Sequence, residues 1–499
     1  DFVRTWWKRL SELGLSNTLV GAMDDKLLKD LHWEGVPVFY MGSNMSEGDL
    51  GWGSSAFHKM GREKVALLNT LLPYGYEILF SDTDVVWLQN PLPYFSRYPD
   101  ADILTTTDRL VPSAADDSLE VWNDVLASSS YNIGNFFWRP TNSSRRFLKS
   151  WIGMLEEDET IWDQNAFNDI LRQKMGPSVA GGQGLVHAFD GELKLGILPS
   201  SIFCSGHTYF VQAMADQLKL RPYAVHTTFQ YCGIDGKRHR LREAMLFVDP
   251  PEYYDAPGGF LSFNPSIPRK LLIDIRLDVE SHFNLVNFQM KQIRTALAIA
   301  QVLGRTLVMP HLWCILDRFW YAHPGIYPGS FTRTPFLCPL DHVFEVQNML
   351  RELPAEQFGP PIGIREYSFL DNPTLPKHVK DSWIDVQLVE NGKQAPNLTA
   401  STKILRLPTN STKTKLKRAF SPLKDVKVIR FLSMQNAFKG FTNKKEEERF
   451  RNRVKVYASS WCCMMNRDPG HIYYDMFWDE KPNWKPHPPE SKEEDHPPW

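Results

Sequence analysis

The sequence predicts an α/β protein, a mainly parallel sheet domain followed by a second α/β domain, and three observations predict it. Helical and strand patterns alternate from the start of the chain, the rhythm of βαβ units whose strands pair in parallel. An apolar run over 78–80 breaks at Asp82-Thr83-Asp84, which puts two carboxylates where a strand stops, and ligands of open α/β sheets gather at the carboxyl ends of strands. Finally, 499 residues at 42% hydrophobic and 23% charged suffice for more than one core.

Taken in order, Phe2, Trp6, Leu10 and Leu13 share one face of a helix over 2–13. Residues 17–21 read as a short strand, 26–33 as a helix, 36–40 as a strand and 59–72 as a helix that Pro73 ends. The next strand, over 77–80, reads as buried on both faces and leads into the acidic turn. Carboxylates there are costly unless paired or metal-bound, and a hard-oxygen pair suits a divalent cation that also holds phosphate oxygens. Asp serves turns as well, so Asp-x-Asp alone is not specific. Arg62 and Lys64, in the preceding helix, are placed to approach a phosphate, although exposed Arg and Lys are the norm.

Residues 131–140 read as a strand entered through small polar residues, where Asn132 and Gly134 let a hydroxylated ligand approach the backbone. Residues 160–167 begin a helix with Asp163 and Gln164 near its N-terminal end, a position that capping explains equally well. Residues 194–197 form a strand before Pro199. A further strand over 223–226 ends at His226, ahead of Gly233 and the basic run Lys237-Arg238-His239-Arg240; a lone His is usually a satisfied polar group, but this placement makes His226 a candidate third metal ligand beside a diphosphate.

Pro and Gly density over 249–259 sets a boundary, giving domains over 1–255 and 256–481. In the second, Met290, Ile293, Leu297 and Ala300 line one face of a helix over 287–303, which Gly304 caps before a strand over 306–309. A polar insertion spans 391–418, a strand follows over 426–431, and 482–499 is a Pro- and charge-rich tail of disordered composition.

The formal net charge of −2 provides no global field to recruit nucleic acid or an anionic membrane surface. Sixteen Trp, 17 Tyr and 30 Phe suit carbohydrate contact but are more often core. The six Cys (204, 232, 314, 338, 462 and 463) form no paired Cys-x-x-Cys zinc pattern. Asn-x-Ser/Thr sequons at Asn44, Asn142, Asn397 and Asn410 favour a secretory compartment. No apolar run has membrane-spanning length, and the start at Asp1 inside a helical pattern leads us to expect a preceding segment.

With these residues in hand, the chain closely resembles the plant extensin arabinosyltransferases of glycosyltransferase family 77. The resemblance is carried by Leu19-Val20-Gly21-Ala22-Met23-Asp24, by 57–64, by Asp82-Thr83-Asp84, by Tyr131-Asn132-Ile133-Gly134, by Trp162-Asp163-Gln164-Asn165, by 203–210 and by 226–231. It implies a GT-A (Rossmann-like) catalytic domain and a type II Golgi membrane protein with its catalytic domain in the lumen. It further implies a UDP-arabinofuranose donor, Mn²⁺ (or Mg²⁺), a hydroxyproline-linked arabinoside of an extensin-type glycoprotein as acceptor, and retention at the anomeric carbon. Family members carry a cytoplasmic tail, a membrane anchor and a first nucleotide-binding strand ahead of the position of Asp1. Residues 289–310 also resemble the first αβ unit of fucosyltransferase-type domains.

On this reading Asp82, Asp84 and His226 hold the metal. Asp82, Arg62, Lys64, Lys237 and Arg238 contact the donor, and Asp163, Gln164 and Asn132 form the reacting face. A catalytically silent scaffold or carbohydrate-binding subunit is the alternative from another class. A haloacid-dehalogenase-type phosphohydrolase fits less well, because its nucleophile stands near the start of the domain whereas several αβ units precede Asp82.

Overall fold

The computed structural model describes residues 1–43, 45, 51, 53–273, 275–319, 323–390, 403–461 and 471–487. Asn44, Asn397, Cys462, Cys463 and residues 488–499 of the tail lie outside them. The chain divides into two compact units, Asp1–Phe229 and Gln230–Trp499. That division precedes the Pro/Gly-rich stretch from which a boundary at 255 is expected. The helix Gly233–Glu243 accounts for the difference, because its buried Arg240 pairs with Asp341 at 3.0 Å and its Glu243 accepts from the Leu340 amide.

The first unit is built on a five-stranded sheet in the order Ile78–Ser81, Tyr131–Trp138, Ile103–Thr107, Leu193–Ile197, Val186–Ala188. Every residue of Tyr131–Trp138 is buried, as the interior strand of a sheet covered on both faces requires. Ile78–Ser81 is an edge strand instead, half-buried throughout and antiparallel to Tyr131–Trp138, so the expectation of burial on both faces is corrected. An edge strand has a neighbour on one side only, and its apolar residues pack with Phe80 stacked on Phe136 at 5.5 Å. The sheet is mixed: only the pairing of Ile103–Thr107 with Leu193–Ile197 is parallel.

Helices Ser55–Leu71, Asn142–Glu157 and Asp163–Leu171 supply Leu68, Trp151 and Phe167 to a core shared with Phe136 and Trp138. Ser54 caps the first, accepting from the Phe57 amide, so this helix begins earlier than residue 59; Thr141 forms a capping box on the second. The opposite core combines Trp6 and Leu10 of the helix Phe2–Glu12 with Phe137, Trp87 and Phe203. A three-stranded sheet, Val85–Trp87, Ala224–His226, Phe203–Ser205, carries the acidic turn and His226 in adjacent strands.

The mainly parallel sheet expected of the first domain is therefore corrected to a mixed one, because hairpin-like neighbours pair antiparallel, whereas the second unit, expected to be α/β, has a fully parallel main sheet. Its six-stranded sheet runs Ile364–Arg365, Thr306–Val308, Phe260–Phe263, Val428–Phe431, Trp383–Val389, Ile404–Pro408, with every pairing parallel. Helix Val279–Leu303 begins where the Asp278 side chain accepts from the Ser281 amide, well before residue 287, and ends at Gly304 with φ of 64°. The polar insertion expected over 391–418 is shorter in its described part. Residues 404–408 form the outermost strand, and Lys413–Phe420 is a helix capped by Thr412, because Leu405, Leu407, Leu416 and Phe420 all reach the core. Cys314 and Cys338 are disulfide-bonded, while Cys204 and Cys232 are free. No helix among the described residues is long and apolar enough to cross a membrane.

Candidate active site

The acidic turn is fixed by its backbone before its carboxylates come into play. At the end of Ile78–Ser81, the Ser81 hydroxyl accepts from the indoles of Trp6 and Trp87 at 2.9 and 3.1 Å and donates to the Asp82 carbonyl. The Asp82 amide donates to Gly134 O at 2.7 Å, and the Val85 amide closes the turn on Asp82 O. Asp84 is anchored through its carbonyl, which accepts from the amide and hydroxyl of Thr227. Because His226 pairs in register with Val85, this anchoring brings its imidazole to the turn, with Nε2 3.4 Å from Asp84 Oδ1. One ligand atom from each of Asp82, Asp84 and His226 lies within 4.8 Å of the others, a hard-oxygen and imidazole set that fits a divalent cation.

Gly134 makes this convergence possible. A Cβ built there would stand 2.3 Å from His226 Cε1 and 2.9 Å from Asp82 Oδ2, so no other residue leaves room for both side chains.

Lys64 approaches the turn as its spacing suggests: Nζ lies 2.9 Å from Asp82 Oδ1 and over the Phe80 ring at 4.8 Å, with the side chain nearly buried. Arg62 points elsewhere, donating to the carbonyls of Asp158 and Leu155 at 3.0 and 3.4 Å. Lys237 and Arg238 belong to the second unit, on helix Gly233–Glu243, where Arg238 donates to Asp235 at 3.0 Å.

Asp163 and Gln164 open the helix Asp163–Leu171, with Trp162 at its cap position. Asp163 Oδ1 accepts from the Gln164 amide at 2.9 Å, and its carbonyl accepts from the Trp151 indole. Gly61, on helix Ser55–Leu71, admits this carboxylate, since a Cβ there would stand 2.6 Å from Asp163 Cγ. Burial raises the Asp163 pKa above the ordinary carboxylate value, and neighbouring Asp82 pushes it the same way while Lys64 opposes. Gln164 reaches the strand Tyr131–Trp138, accepting from the Ile133 amide at 3.3 Å.

Asp108 was not among the residues expected here. It follows the strand Ile103–Thr107 and accepts from Asn132 Nδ2 at 2.9 Å and from Gln164 Nε2 at 3.3 Å. Burial raises its pKa, against the two amide hydrogen bonds and nearby His226. The signal in the sequence is an acid directly after a β-prone Thr105-Thr106-Thr107 run, the same strand-end placement that singles out Asp82. Of the sequon residues, Asn142 and Asn410 are both exposed, the former opening helix Asn142–Glu157 and the latter at φ of 52°.

The sequence profile of the nucleotide-diphospho-sugar transferases matches residues 13–241, which include every residue of this cluster. Arabinosyltransferase XEG113 of Arabidopsis thaliana is 63% identical over 501 aligned residues, covering 100% of this chain and 78% of that protein. The chain belongs to the plant arabinosyltransferase family. Two further relatives match less of the chain. Arabinosyltransferase RRA2 of Arabidopsis thaliana is 28% identical over 44% of this chain and 51% of its own length. UDP-D-xylose:L-fucose alpha-1,3-D-xylosyltransferase 3 of the same plant is 24% identical over 42% and 52%. Among solved structures, that of POFUT1 in complex with GDP-fucose aligns at a TM-score of 0.23 and 13% identity over 41% of this chain and 52% of that one, too slight a likeness to bear on the fold.

Proposed function

We propose that the first unit transfers L-arabinofuranose from UDP-arabinofuranose to hydroxyproline-linked arabinosides of extensin-type glycoproteins, with retention at the anomeric carbon, in the Golgi lumen. The observation that carries this reading is the meeting of Asp82, Asp84 and His226 within 4.8 Å in a chain 63% identical along its length to an arabinosyltransferase. These three residues would hold Mn²⁺ or Mg²⁺, which when bound offsets the negative charge that grows on a departing diphosphate. Lys64, at 2.9 Å from Asp82, adds positive charge at the same end of the strand and steadies Asp82. Asp163 stabilises the positive charge that develops at the anomeric carbon, from a position that its helix start and the hollow at Gly61 hold fixed. The amides of Asn132 and Gln164 hold the sugar hydroxyls. In this reading Arg62 braces the 155–158 segment.

The test is a transfer assay with UDP-arabinofuranose, UDP-arabinopyranose and UDP-xylose against arabinosylated hydroxyproline peptides, in chelator and after returning Mn²⁺ or Mg²⁺. Transfer from UDP-arabinofuranose that disappears in chelator and returns with metal, giving a product of unchanged anomeric configuration by NMR, is expected. Full activity in chelator would remove the metal assignment, and a preference for UDP-xylose would remove the donor assignment.

A further inference from the structure

Asn132 and Gln164 each carry an amide whose two ends differ in kind, one oxygen that accepts and one nitrogen with two N–H groups that donate. Which end faces a ligand is therefore a structural decision, and it is made by backbone amides of the strand Tyr131–Trp138 and by Asp108, which follows the strand Ile103–Thr107. Asn132 Oδ1 accepts from the Gly134 amide at 2.8 Å, and Gln164 Oε1 accepts from the Ile133 amide at 3.3 Å. Both nitrogens turn to one carboxylate, with Nδ2 at 2.9 Å from Asp108 Oδ1 and Nε2 at 3.3 Å from Asp108 Oδ2. A carboxylate presents two separate acceptor oxygens, one to each facing donor. Asp108 is itself held by its backbone, its amide donating to Ser130 O at 2.9 Å just past a register shift between Thr105 and Thr106.

Resting on the function proposed above, we infer that Asp108 is a positioning residue: it sets the polarity of the Asn132 and Gln164 amides so that each keeps one N–H for the oxygen atoms of the donor sugar. Among the described residues, each amide nitrogen uses a single N–H, toward Asp108. The site thus offers donors, and the atoms it selects are acceptors, such as hydroxyl and ring oxygens. The same strand carries Gly134, against which His226 and Asp82 pack, so an amide that flipped and released the Gly134 N–H would disturb the cluster as well.

Asp108→Asn tests this, because an amide at 108 has one acceptor and must turn its own N–H groups toward one of the two nitrogens. The double variant Asp108→Asn/Asn132→Asp separates positioning from bracing. There the new carboxylate at 132 accepts from both the amide at 108 and the Gly134 N–H, and the amide oxygen at 108 still accepts from Gln164. Net charge and every internal hydrogen bond are kept, while the N–H at 132 is gone. Kinetics with the best UDP-sugar should show kcat down about a hundredfold in Asp108→Asn, the scale of loss from misplaced positioning groups, with the smaller change in donor KM. The double variant should recover the thermal midpoint of the wild type without recovering kcat. Wild-type kcat in Asp108→Asn, or recovery of both kcat and midpoint in the double variant, would overturn the inference. Where Asp108→Asn does not fold, the double variant decides alone. A wild-type chain that turns over no UDP-sugar defeats the proposed function and this inference with it, whereas wild-type turnover with an unaltered Asp108→Asn defeats only the inference.

Discussion

In the second unit the arginines of helix Gly233–Glu243 meet acids one by one, Arg238 with Asp235, Arg240 with Asp341 and Arg242 with Asp249. In the first unit, by contrast, Asp82, Asp84, Asp108 and Asp163 gather around Lys64 and His226. Charges matched in pairs hold a fold together and leave little to recruit a ligand. Four carboxyl groups outnumber the one lysine and one imidazole, and the divalent cation proposed above at Asp82, Asp84 and His226 would complement them. The comparison teaches why a basic run such as 237–240 resists interpretation from sequence: a guanidinium awaiting a diphosphate and one already paired with an internal acid have the same spelling.

The strongest test of this contrast removes the excess at its centre. Asp84→Ala should lower transfer by about three orders of magnitude or more, in the range of losing a principal electrostatic stabiliser, while the melting temperature stays close to that of the wild type. An active variant with unchanged response to metal would end the assignment.

Its counterpart in the second unit is Arg240→Leu, which removes the guanidinium from Asp341 in a site where both partners are 1% exposed. Breaking such a pair costs about 3–5 kcal/mol, to be read from urea unfolding. Removing both charges, as Arg240→Met/Asp341→Asn, which keeps an acceptor for the Tyr231 amide, should cost much less, and equal losses in the single and double variants would show that the pair is not the cause.

Gly134→Ala comes next, with an expected loss of about a hundredfold in kcat from displacing His226 or Asp82 and near-native circular dichroism. Native kcat would mean that the approach of these side chains to the strand is dispensable.

The last effect expected is a pH dependence of stability, seen only in acid. Burial drives the His282 imidazole down to about 3, with Nδ1 accepting from the Ile315 and Leu316 amides and Nε2 meeting the Tyr474 hydroxyl at 2.7 Å. The unfolded chain binds this proton below about 6.5 and the folded chain does not. Stability from His282 is therefore complete above that pH and declines as pH falls toward 3. His282→Gln should flatten this part of the stability profile in denaturant titrations at stepped pH, and an unchanged slope would count against it.

Much of the site was legible because its residues stand at places with a physical signature. Asp82, Asp84 and His226 end strands, Asp163 and Gln164 begin a helix, and Asn132 enters a strand beside a glycine. Asp108 escaped notice because its role depends on the irregular register between Thr105 and Thr106, which no local periodicity encodes. The mixed sheet of the first unit was hidden for a related reason, since the apolar run of Ile78–Ser81 looks the same whether its neighbour runs parallel or antiparallel. Helix starts were misjudged where a single side chain, Ser54 or Asp278, fixes the first turn, while the α-helix ends near Pro73 and at Gly304 were read correctly, because proline lacks the N–H that α-helical bonding needs and glycine takes the left-handed cap conformation.

Gly61 and Gly134 take no part in the chemistry, yet each leaves open the volume that a reacting side chain fills. A saturation library of the first unit should therefore show two positions where nearly every substitution is inactive, although neither carries a functional group. Chemical rescue with added bases or metals, which can restore a missing group, should fail at both, because nothing added from solution can clear the space that a new side chain fills.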